Sequence, residues 1–187
     1  MIFPNFKQVL LQRLAIRSNV VHGARLHVGP GSVLWAPRLL SVGNDVYVGK
    51  NVTLQFDGTI GDGALFANGC GVVGRHDHDY TQVGTAIRNA AWVGDAPDLS
   101  EETHIGSDVW IGFNAVVQSG IRIGNSCLVG AGSVVTKDLP DNSIAAGVPA
   151  RVLKARFSQE DFERHWELLR NSGTRWMKQA SAGQLDA

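Results

Sequence analysis

Large apolar residues, most of them branched aliphatics, recur at every sixth position in two stretches of the chain. The two series are Val42, Val48, Leu54, Ile60, Phe66 and Val72, and then Ile105, Ile111, Val117, Ile123, Val129 and Val135. Six residues match neither the helical period nor the alternation of a strand, and such a unit is too short for a hairpin. The pattern therefore predicts a solenoid with one short strand and one corner per unit, several units closing each coil.

Two other positions of the six-residue unit also have a recurring residue type. Glycine often follows the apolar residue, at Gly43, Gly49, Gly61, Gly106, Gly112, Gly124 and Gly130. The fourth residue after it is usually small or β-branched, at Val46, Val52, Ala64, Cys70, Val109, Ala115, Cys127 and Ser133. We expect the apolar residue to fill the coil interior and the glycine to supply a corner conformation that other residues reach only with strain.

The ends of the chain carry helical patterns. Apolar residues at helical spacing follow Pro4 up to about residue 17 and predict a short N-terminal helix. Ser158, followed by Asp161 and an amphipathic run, predicts a capped C-terminal helix. We therefore divide the chain into an N-terminal segment 1–20, a solenoid 21–156 and a C-terminal helix and tail 157–187, frayed beyond about Gln179.

The repeat is interrupted twice. A looser register through His22, Val28, Leu34 and Leu40 shifts by two residues at Val42, which one longer corner would absorb. The repeat also stops after about Val73 and resumes at Ile105. We expect the chain to leave the coil there in a projecting loop, at about 79–103, and to leave the repeat for good after Asp138. Loops of this length are often functional.

Composition excludes several classes. With 187 residues, 17 Lys plus Arg and 17 Asp plus Glu, the chain fits one domain, and its charge balance proposes neither nucleic acid nor an anionic membrane as partner. Cys70 and Cys127 both occupy the small-residue position of the repeat and are interpreted as buried hydrophobes. No signal peptide or membrane span is evident, so a cytoplasmic protein is expected.

Three segments late in the repeat resemble a known family. They are IGSDVWIG at 105–112, VGAGSVVTKD at 129–138 and AGVPAR at 146–151. Over about residues 42–156 the chain resembles the hexapeptide-repeat acyltransferases, especially the maltose, galactoside and nodulation-type sugar O-acetyltransferases and their relatives in polysaccharide gene clusters. The resemblance implies a left-handed parallel β-helix, although the usual rule for parallel crossovers favours the right hand. It also implies a homotrimer with active sites between subunits, and acetyl-CoA-dependent transfer to a carbohydrate hydroxyl.

Such a transfer needs a general base, since a sugar hydroxyl is a poor nucleophile at neutral pH. His76 and His78 lie where the repeat breaks, the place where the sugar acetyltransferases carry their catalytic histidine. If Val73 opens the last unit before the loop, His78 takes its sixth place, as the family's base does. If Val72 opens it, neither histidine does. We favour His78 and keep His76 as the alternative.

A carboxylate on the other ring nitrogen would orient that base. Asp77 and Asp79 are near in sequence, but adjacent strand residues point to opposite faces, so a partner from elsewhere, such as Asp57, is equally open. His104 is interpreted as an exposed coil position. The remaining histidines are assigned to surface or packing roles: His22, His27 and His165.

The resemblance also implies acetyl-CoA contacts, which fall at Phe113, Ala131, Thr136, Lys137, Arg151 and Lys154. The first two would face the pantetheine arm with main-chain groups, and Arg151 would face the nucleotide phosphates. Lys154 stands where a relative has Arg, which keeps the charge and loses the bidentate fork. Trp110 is interpreted as a core or subunit contact.

The acceptor side is less defined. In relatives it is built from the early coils, which here offer Asn51, Gln55 and Asp57. The spacing there is shorter than in the galactoside enzymes, and residues 1–20 lack the acceptor-binding acid those enzymes carry. A glycan or lipid-linked precursor of a surface polysaccharide is therefore preferred to a simple maltoside or galactoside. The loop, with Trp92, would close over the glycan or pack on the next subunit.

Two other functions use the same fold. His76, His78 and His104 could supply zinc ligands as in γ-class carbonic anhydrases, but their spacing does not match and the Thr136-Lys137 ending would be unexplained. A non-catalytic scaffold is the third hypothesis. No metal is expected for the acyltransferase.

Overall fold

The computed structural model describes residues 6–177, so Pro4 and the tail beyond Gln179 lie outside the described residues. The chain begins with α1 (Phe6–Ala15), β1 (Val20–His22), β2 (His27–Val28), β3 (Val33–Trp35), β4 (Leu40–Val42), β5 (Tyr47–Val48), β6 (Thr53–Gln55), β7 (Gly58–Ile60), β8 (Leu65–Phe66) and β9 (Gly71–Val73). It continues with β10 (Thr103–Ile105), β11 (Trp110–Ile111), β12 (Val116–Gln118), β13 (Arg122–Ile123), β14 (Leu128–Val129), β15 (Val134–Val135), β16 (Ser143–Gly147), β17 (Ala150–Ala155) and α2 (Gln159–Asn171).

Up to β15, every third strand along the chain joins the same sheet, which makes a three-sided solenoid. The first sheet has the order β1-β4-β7-β10-β13, the second runs from β2 through β5, β8, β11, β14 and β16 to β17, and the third has the order β3-β6-β9-β12-β15. All strand pairs are parallel except β16 with β17. The solenoid matches a left-handed β-helix, which confirms the predicted fold.

The residues of the six-residue register fill the interior of the coil. All twelve apolar residues of the two series are at most 4% exposed, and each stacks on its equivalent one coil away, as Leu54 does on Val72 and Ile111 on Val129. Apolar burial of this kind is the main favourable term in folding. The sequence period therefore corresponds to one side of the coil.

A longer corner absorbs the two-residue shift in the first coil, as predicted. Val28 pairs with Val48, twenty residues later, whereas Val48 pairs with Phe66, eighteen residues later. The additional residues lie in 36–39, between β3 and β4.

Where glycine follows an apolar register residue, it is required by close packing between coils, and the expectation of a special corner conformation there is wrong. None of these glycines has a positive φ, which is found instead at corner residues such as Asp45 and Asn51. A Cβ on Gly106 would lie 2.7 Å from the backbone nitrogen of Asn125 in the next coil. Glycine is therefore needed because there is no room for a side chain.

The repeat differs from the prediction at both of its breaks. The excursion between β9 and β10 covers 74–102 and starts earlier than the predicted 79–103. The chain also returns to the solenoid after Asp138, because β16 pairs in parallel with β14 before turning back into β17. Val129 pairs with Ala145, sixteen residues later, whereas Ile111 pairs with Val129, eighteen residues later, so the six-residue series does not continue into this last coil.

The C-terminal helix α2 packs against a corner of the solenoid. Ser158 caps it by accepting a hydrogen bond from the Asp161 backbone nitrogen, as the sequence predicts. Trp166 is 1% exposed and donates its indole nitrogen to Ser126 Oγ at 3.1 Å. The buried tryptophan fixes the helix to the coil.

Both cysteines are buried and unpaired, as predicted, and burial raises the pKa of Cys70 to about 12 and that of Cys127 to about 11. Among residues 6–177, no helix has the length and apolar character needed to cross a membrane.

Candidate functional site

The excursion 74–102 folds back onto the solenoid corner from which it leaves. Arg38, in the long corner of the first coil, donates from Nη2 to the carbonyl of Ser100 at 3.0 Å. Within the excursion, His78 and Trp92 form an antiparallel bridge. Its two arms therefore run side by side, and its two ends meet.

His76 lies beside a carboxylate supplied by the opposite end of the excursion. Its Nδ1 is 3.5 Å from Oε1 of Glu101, and the other oxygen of Glu101 is 3.9 Å from Nη1 of Arg75. Arg75 also donates to the carbonyl of Thr136 at 3.3 Å. The sequence interpretation missed Glu101. Its position directly before the repeat resumes is the signal that could have identified it, because both ends of an excursion between neighbouring strands must be close.

The residue that opens the last unit before the excursion is Val72. It is fully buried and pairs with Leu54 and Val117, so the alternative register that starts at Val73 is wrong. By the register argument, His78 then loses the position that favoured it over His76.

His78 lines a different hollow from His76. This hollow has a volume of about 500 Å³ and is also lined by Arg88, Trp92 and Asp95. Nδ1 of His78 is buried and has no hydrogen-bond partner among residues 6–177. In the part of the chain that the structure describes, no carboxylate is paired with Nδ1 of this ring as Glu101 is with that of His76.

The two neighbouring aspartates differ in their surroundings. Asp79 accepts hydrogen bonds from the hydroxyl of Thr81 at 2.5 Å and from its backbone nitrogen at 3.0 Å, and these lower the pKa of Asp79. Desolvation raises the pKa of Asp77, and the nearby His78 opposes that shift. Asp79 therefore stabilises a turn of the excursion.

The three residues proposed for the acceptor lie apart. Gln55 ends β6 and faces the hollows beside the excursion, whereas Asn51 occupies the opposite corner of its coil with a φ of 54°. Asp57 is 2% exposed, and its carboxylate accepts from the backbone nitrogen of Arg38 at 2.7 Å. Burial would raise its pKa, but the hydrogen bonds it accepts, from Ser100 and Arg38 among others, outweigh burial and lower the pKa. The Asp57 carboxylate therefore fixes the backbone of the long corner between β3 and β4.

The residues proposed for acetyl-CoA lie at two edges of the third sheet and on the last strand. Phe113 and Ala131 occupy equivalent exposed corners one coil apart, and Gly132 donates its backbone nitrogen to the Phe113 carbonyl at 2.8 Å. Thr136 and the exposed Lys137 follow β15 at the other edge. Two further exposed cations lie on β17: Arg151 and Lys154.

The carboxyl edge of the third sheet brings the proposed groups into one row. Trp35, Gln55, Val73 and Gln118 are register partners on successive strands, and the β12–β15 pairing brings Thr136 next. Parallel strands are about 4.8 Å apart. His76 comes three residues after the end of β9, shares a small hollow with Gln55, and is adjacent to Arg75, which contacts Thr136.

The histidines outside the excursion have structural partners. His104 Nδ1 is 3.0 Å from Oγ1 of Thr59, and desolvation lowers its pKa. His165 Nε2 lies 2.8 Å from Oδ2 of Asp108. Within the described part of the chain, no group of three or more His, Cys, Asp or Glu side chains could hold a metal ion.

Sequence comparison finds matches among bacterial acetyltransferases. Residues 102–137 match the family model "Bacterial transferase hexapeptide (six repeats)". The chain is 33% identical over 127 residues to galactoside O-acetyltransferase of Escherichia coli K12, which covers 68% of the chain and 62% of that protein. It is 38% identical over 109 residues to chloramphenicol acetyltransferase of Morganella morganii, covering 55% of the chain and 50% of that protein. The match spans less than two thirds of either relative.

A solved structure resembles the chain more widely. A galactoside acetyltransferase in complex with coenzyme A aligns with a TM-score of 0.60 at 27% identity, covering 83% of this chain and 72% of that one.

Proposed function

Because the chain belongs to the hexapeptide-repeat acyltransferases, we propose that it transfers an acetyl group from acetyl-CoA to a carbohydrate hydroxyl. The relatives support the donor and the class of acceptor, since one is named galactoside O-acetyltransferase and a similar structure contains coenzyme A. The observation that carries the proposal is the His76–Glu101 pair, whose histidine shares a small hollow with Gln55.

In this proposal His76 is the general base. Glu101 faces Nδ1, which favours the tautomer whose Nε2 is free to accept a proton, and it stabilises the imidazolium that forms. The acceptor hydroxyl gives its proton to Nε2 as its oxygen attacks the thioester carbonyl carbon. The carbon–sulfur bond then breaks, and the leaving thiolate takes the proton back from the imidazolium. The products are an acetyl ester and free CoA, without an acyl-enzyme.

The acetyl-CoA contacts remain those proposed from the sequence. The corner at Phe113 and Ala131 would receive the pantetheine arm, where exposed main-chain groups are available. Lys137, Arg151 and Lys154 would face the phosphates. These groups lie at two edges of one chain, so the donor slot would be completed by a neighbouring subunit.

The test compares three variants of the excursion with an acceptor panel analysed by mass spectrometry. His76→Ala should lower turnover by about a hundred- to ten-thousand-fold, the usual contribution of a general base, with little change in acetyl-CoA affinity. Glu101→Gln should lower it less, because the histidine remains. His78→Ala should retain most of the turnover, and Val83→Ala, at a fully exposed position of the same excursion, is the control.

Two results would contradict this assignment. If His78→Ala is the inactive variant and His76→Ala works normally, the roles exchange and the Glu101 contact is not catalytic. If both variants are active, the excursion does not hold the base. Acetyl-CoA at a hundred times its dissociation constant should also stabilise the protein by about 2.7 kcal/mol, whereas a scaffold would show no stabilisation.

A further inference from the structure

A cavity of about 340 Å³ lies between the excursion and the first coils of the same chain. Its walls are formed by Arg17, Ser18, Trp35, Gln55, Asp77, Trp92 and Val93. The lining comes from four segments that are distant in sequence and that only the fold brings together. A volume of this size suits one small ring.

Two tryptophans form one wall. The rings of Trp35 and Trp92 are stacked, with centroids 5.8 Å apart and planes within 7° of parallel. Trp35 donates its indole nitrogen to Ser18 Oγ at 3.1 Å, and Trp92 remains 43% exposed. The wall is therefore a preformed aromatic surface that is still accessible from the cavity.

The backbone of the excursion holds Trp92 in this orientation. Trp92 belongs to the bridge with His78, and Val93 donates its backbone nitrogen to the carbonyl of Asp77 at 2.9 Å. A Cβ on Gly94 would lie 2.1 Å from the Trp92 ring. Any side chain at position 94 would therefore displace the ring.

The polar lining suits a neutral, hydroxyl-rich ligand. Arg17 and Asp77 line the same cavity with opposite charges, so no net charge would attract an ionic group. Ser18 and Gln55 add neutral donors and acceptors. The C–H face of a pyranose ring stacks on an aromatic face, while its hydroxyls bond to such groups.

The cavity adjoins the proposed base. A small hollow that contains His76 shares four lining residues with it: Trp35, Gln55, Asp77 and Val93. A ring held against the tryptophans would therefore lie next to the hollow that contains the histidine.

We propose that this cavity binds one neutral pyranose ring of the acceptor, with the part of the Trp92 ring that Trp35 leaves uncovered as its stacking surface. The proposal rests on the proposed function, because it makes the cavity the acceptor site of that transferase. It places the acceptor's sugar-binding surface within one chain, formed when the excursion folds back on its own first coils.

Saturation-transfer NMR with methyl β-D-glucopyranoside and methyl β-D-galactopyranoside tests the inference, using methyl β-D-glucuronide as the charged counterpart. Trp92→Leu should weaken binding of the neutral glycoside about fivefold to tenfold, because it keeps apolar volume and loses the aromatic face. Trp92→Phe should retain most of the binding. Gly94→Ala should reproduce the loss without changing either tryptophan, and Val83→Ala is the matched control.

Thermal shifts with acetyl-CoA on the same samples separate this inference from the proposed function. Equal acetyl-CoA stabilisation of the wild type and of Trp92→Leu, together with weakened sugar binding by the variant, supports the inference. Sugar binding that is equal in both proteins, absent from the wild type, or tighter for the glucuronide overturns it, even if acetyl-CoA binds. If acetyl-CoA fails to bind the wild type, the proposed function fails, whatever the sugar result.

Discussion

Glu101 approaches His76 because the segment between them leaves and re-enters neighbouring strands of the solenoid. Other buried or crowded carboxylates hold chain segments in place. Asp57 accepts a hydrogen bond from the backbone of Arg38 in the long corner. Asp62, whose side chain is 4% exposed, forms an ion pair with Arg175, which follows α2 in the chain. The residues proposed for phosphate contact are exposed, as a binding role requires.

At this scale we predict that Lys137→Ala and Arg151→Ala weaken acetyl-CoA binding about fivefold each and leave the fold intact. Each substitution removes one positive charge from the proposed phosphate end, worth roughly 1 kcal/mol at an exposed position. Titration calorimetry measures the affinity, and thermal unfolding checks the fold. Lys50→Ala, another exposed cation, is the matched control. Unchanged affinity in both variants would show that the acetyl-CoA contacts assigned from the family resemblance are wrong.

Where glycine follows an apolar register residue, the coils stack so closely that the backbone of the next coil leaves no room for a side chain. A Cβ added to Gly71, which is at a different position of the repeat, would by contrast meet nothing closer than 3.7 Å. The end of the chain adds a second element: Ser107 Oγ donates to the carbonyl of Arg175 at 2.7 Å, and Asn125 donates to that of Met177 at 3.1 Å. This terminal segment runs along the solenoid and is held by its polar corner residues.

We predict that Gly106→Ala lowers the free energy of unfolding by about 2–4 kcal/mol, because its Cβ would lie 2.7 Å from a backbone nitrogen that cannot move aside. Gly71→Ala is the matched control and should change stability by about 0.5 kcal/mol or less. Chemical denaturation measures both. Equal stability of the two variants would show that the coils can separate enough to admit a methyl group.

The Arg175–Asp62 pair predicts a pH dependence. Arg175 donates to the two Asp62 oxygens at 2.8 and 2.9 Å and lowers the pKa of Asp62 to about 2. A lowered pKa stabilises the folded chain above the unfolded-state value of about 4, and that contribution is lost as pH falls towards 2. Arg175→Gln should therefore be less stable than the wild type at pH 7, by about 1–3 kcal/mol.

The difference between the two proteins should narrow between about pH 4, where the Asp62 carboxylate of the unfolded chain takes up a proton, and about pH 2, where that of the folded wild type does so too. Thermal unfolding at pH 7, 5 and 3 measures it. Arg25→Gln removes the exposed Arg25–Asp45 pair and should have a much smaller effect at every pH. A difference that is constant with pH would show that Arg175 acts through packing alone.

For the whole molecule, the outer face of the second sheet carries exposed apolar side chains. Register partners on its strands include Tyr47, Leu65 and Trp110, which are 44%, 39% and 48% exposed. Trp110 is thus not a core residue of the single chain. A continuous exposed apolar ladder of this kind marks an interaction surface.

We predict a homotrimer that buries this ladder, because cyclic assemblies let one such face pack on a neighbouring subunit and would complete the divided donor slot. Sedimentation at micromolar concentration should give the trimer mass. Trp110→Asp should shift the protein towards the monomer, whereas Val83→Asp should not. A wild-type monomer, or a Trp110→Asp trimer, would contradict the prediction.

The sequence by itself determined the solenoid. The six-residue period of Val42 to Val72 and of Ile105 to Val135 shows which side chains are inside the coil. The capping residue Ser158 shows where the C-terminal helix begins. Both are local patterns, which a sequence carries without reference to distant residues. It also located the break that holds His76 and His78. The resemblance, not the period, indicated the left hand.

Only the tertiary structure decided what lies next to what. Whether Val72 or Val73 points inward is a choice of one residue that the alternation leaves open until the strand pairs with its neighbours. Glu101 and Trp92 meet His76 and Trp35 through an excursion without a repeat, so no period in the sequence could place them. The last coil at β16 was hidden for the same reason: its register depends on pairing with β14 across a turn, and such pairing is a property of the folded chain.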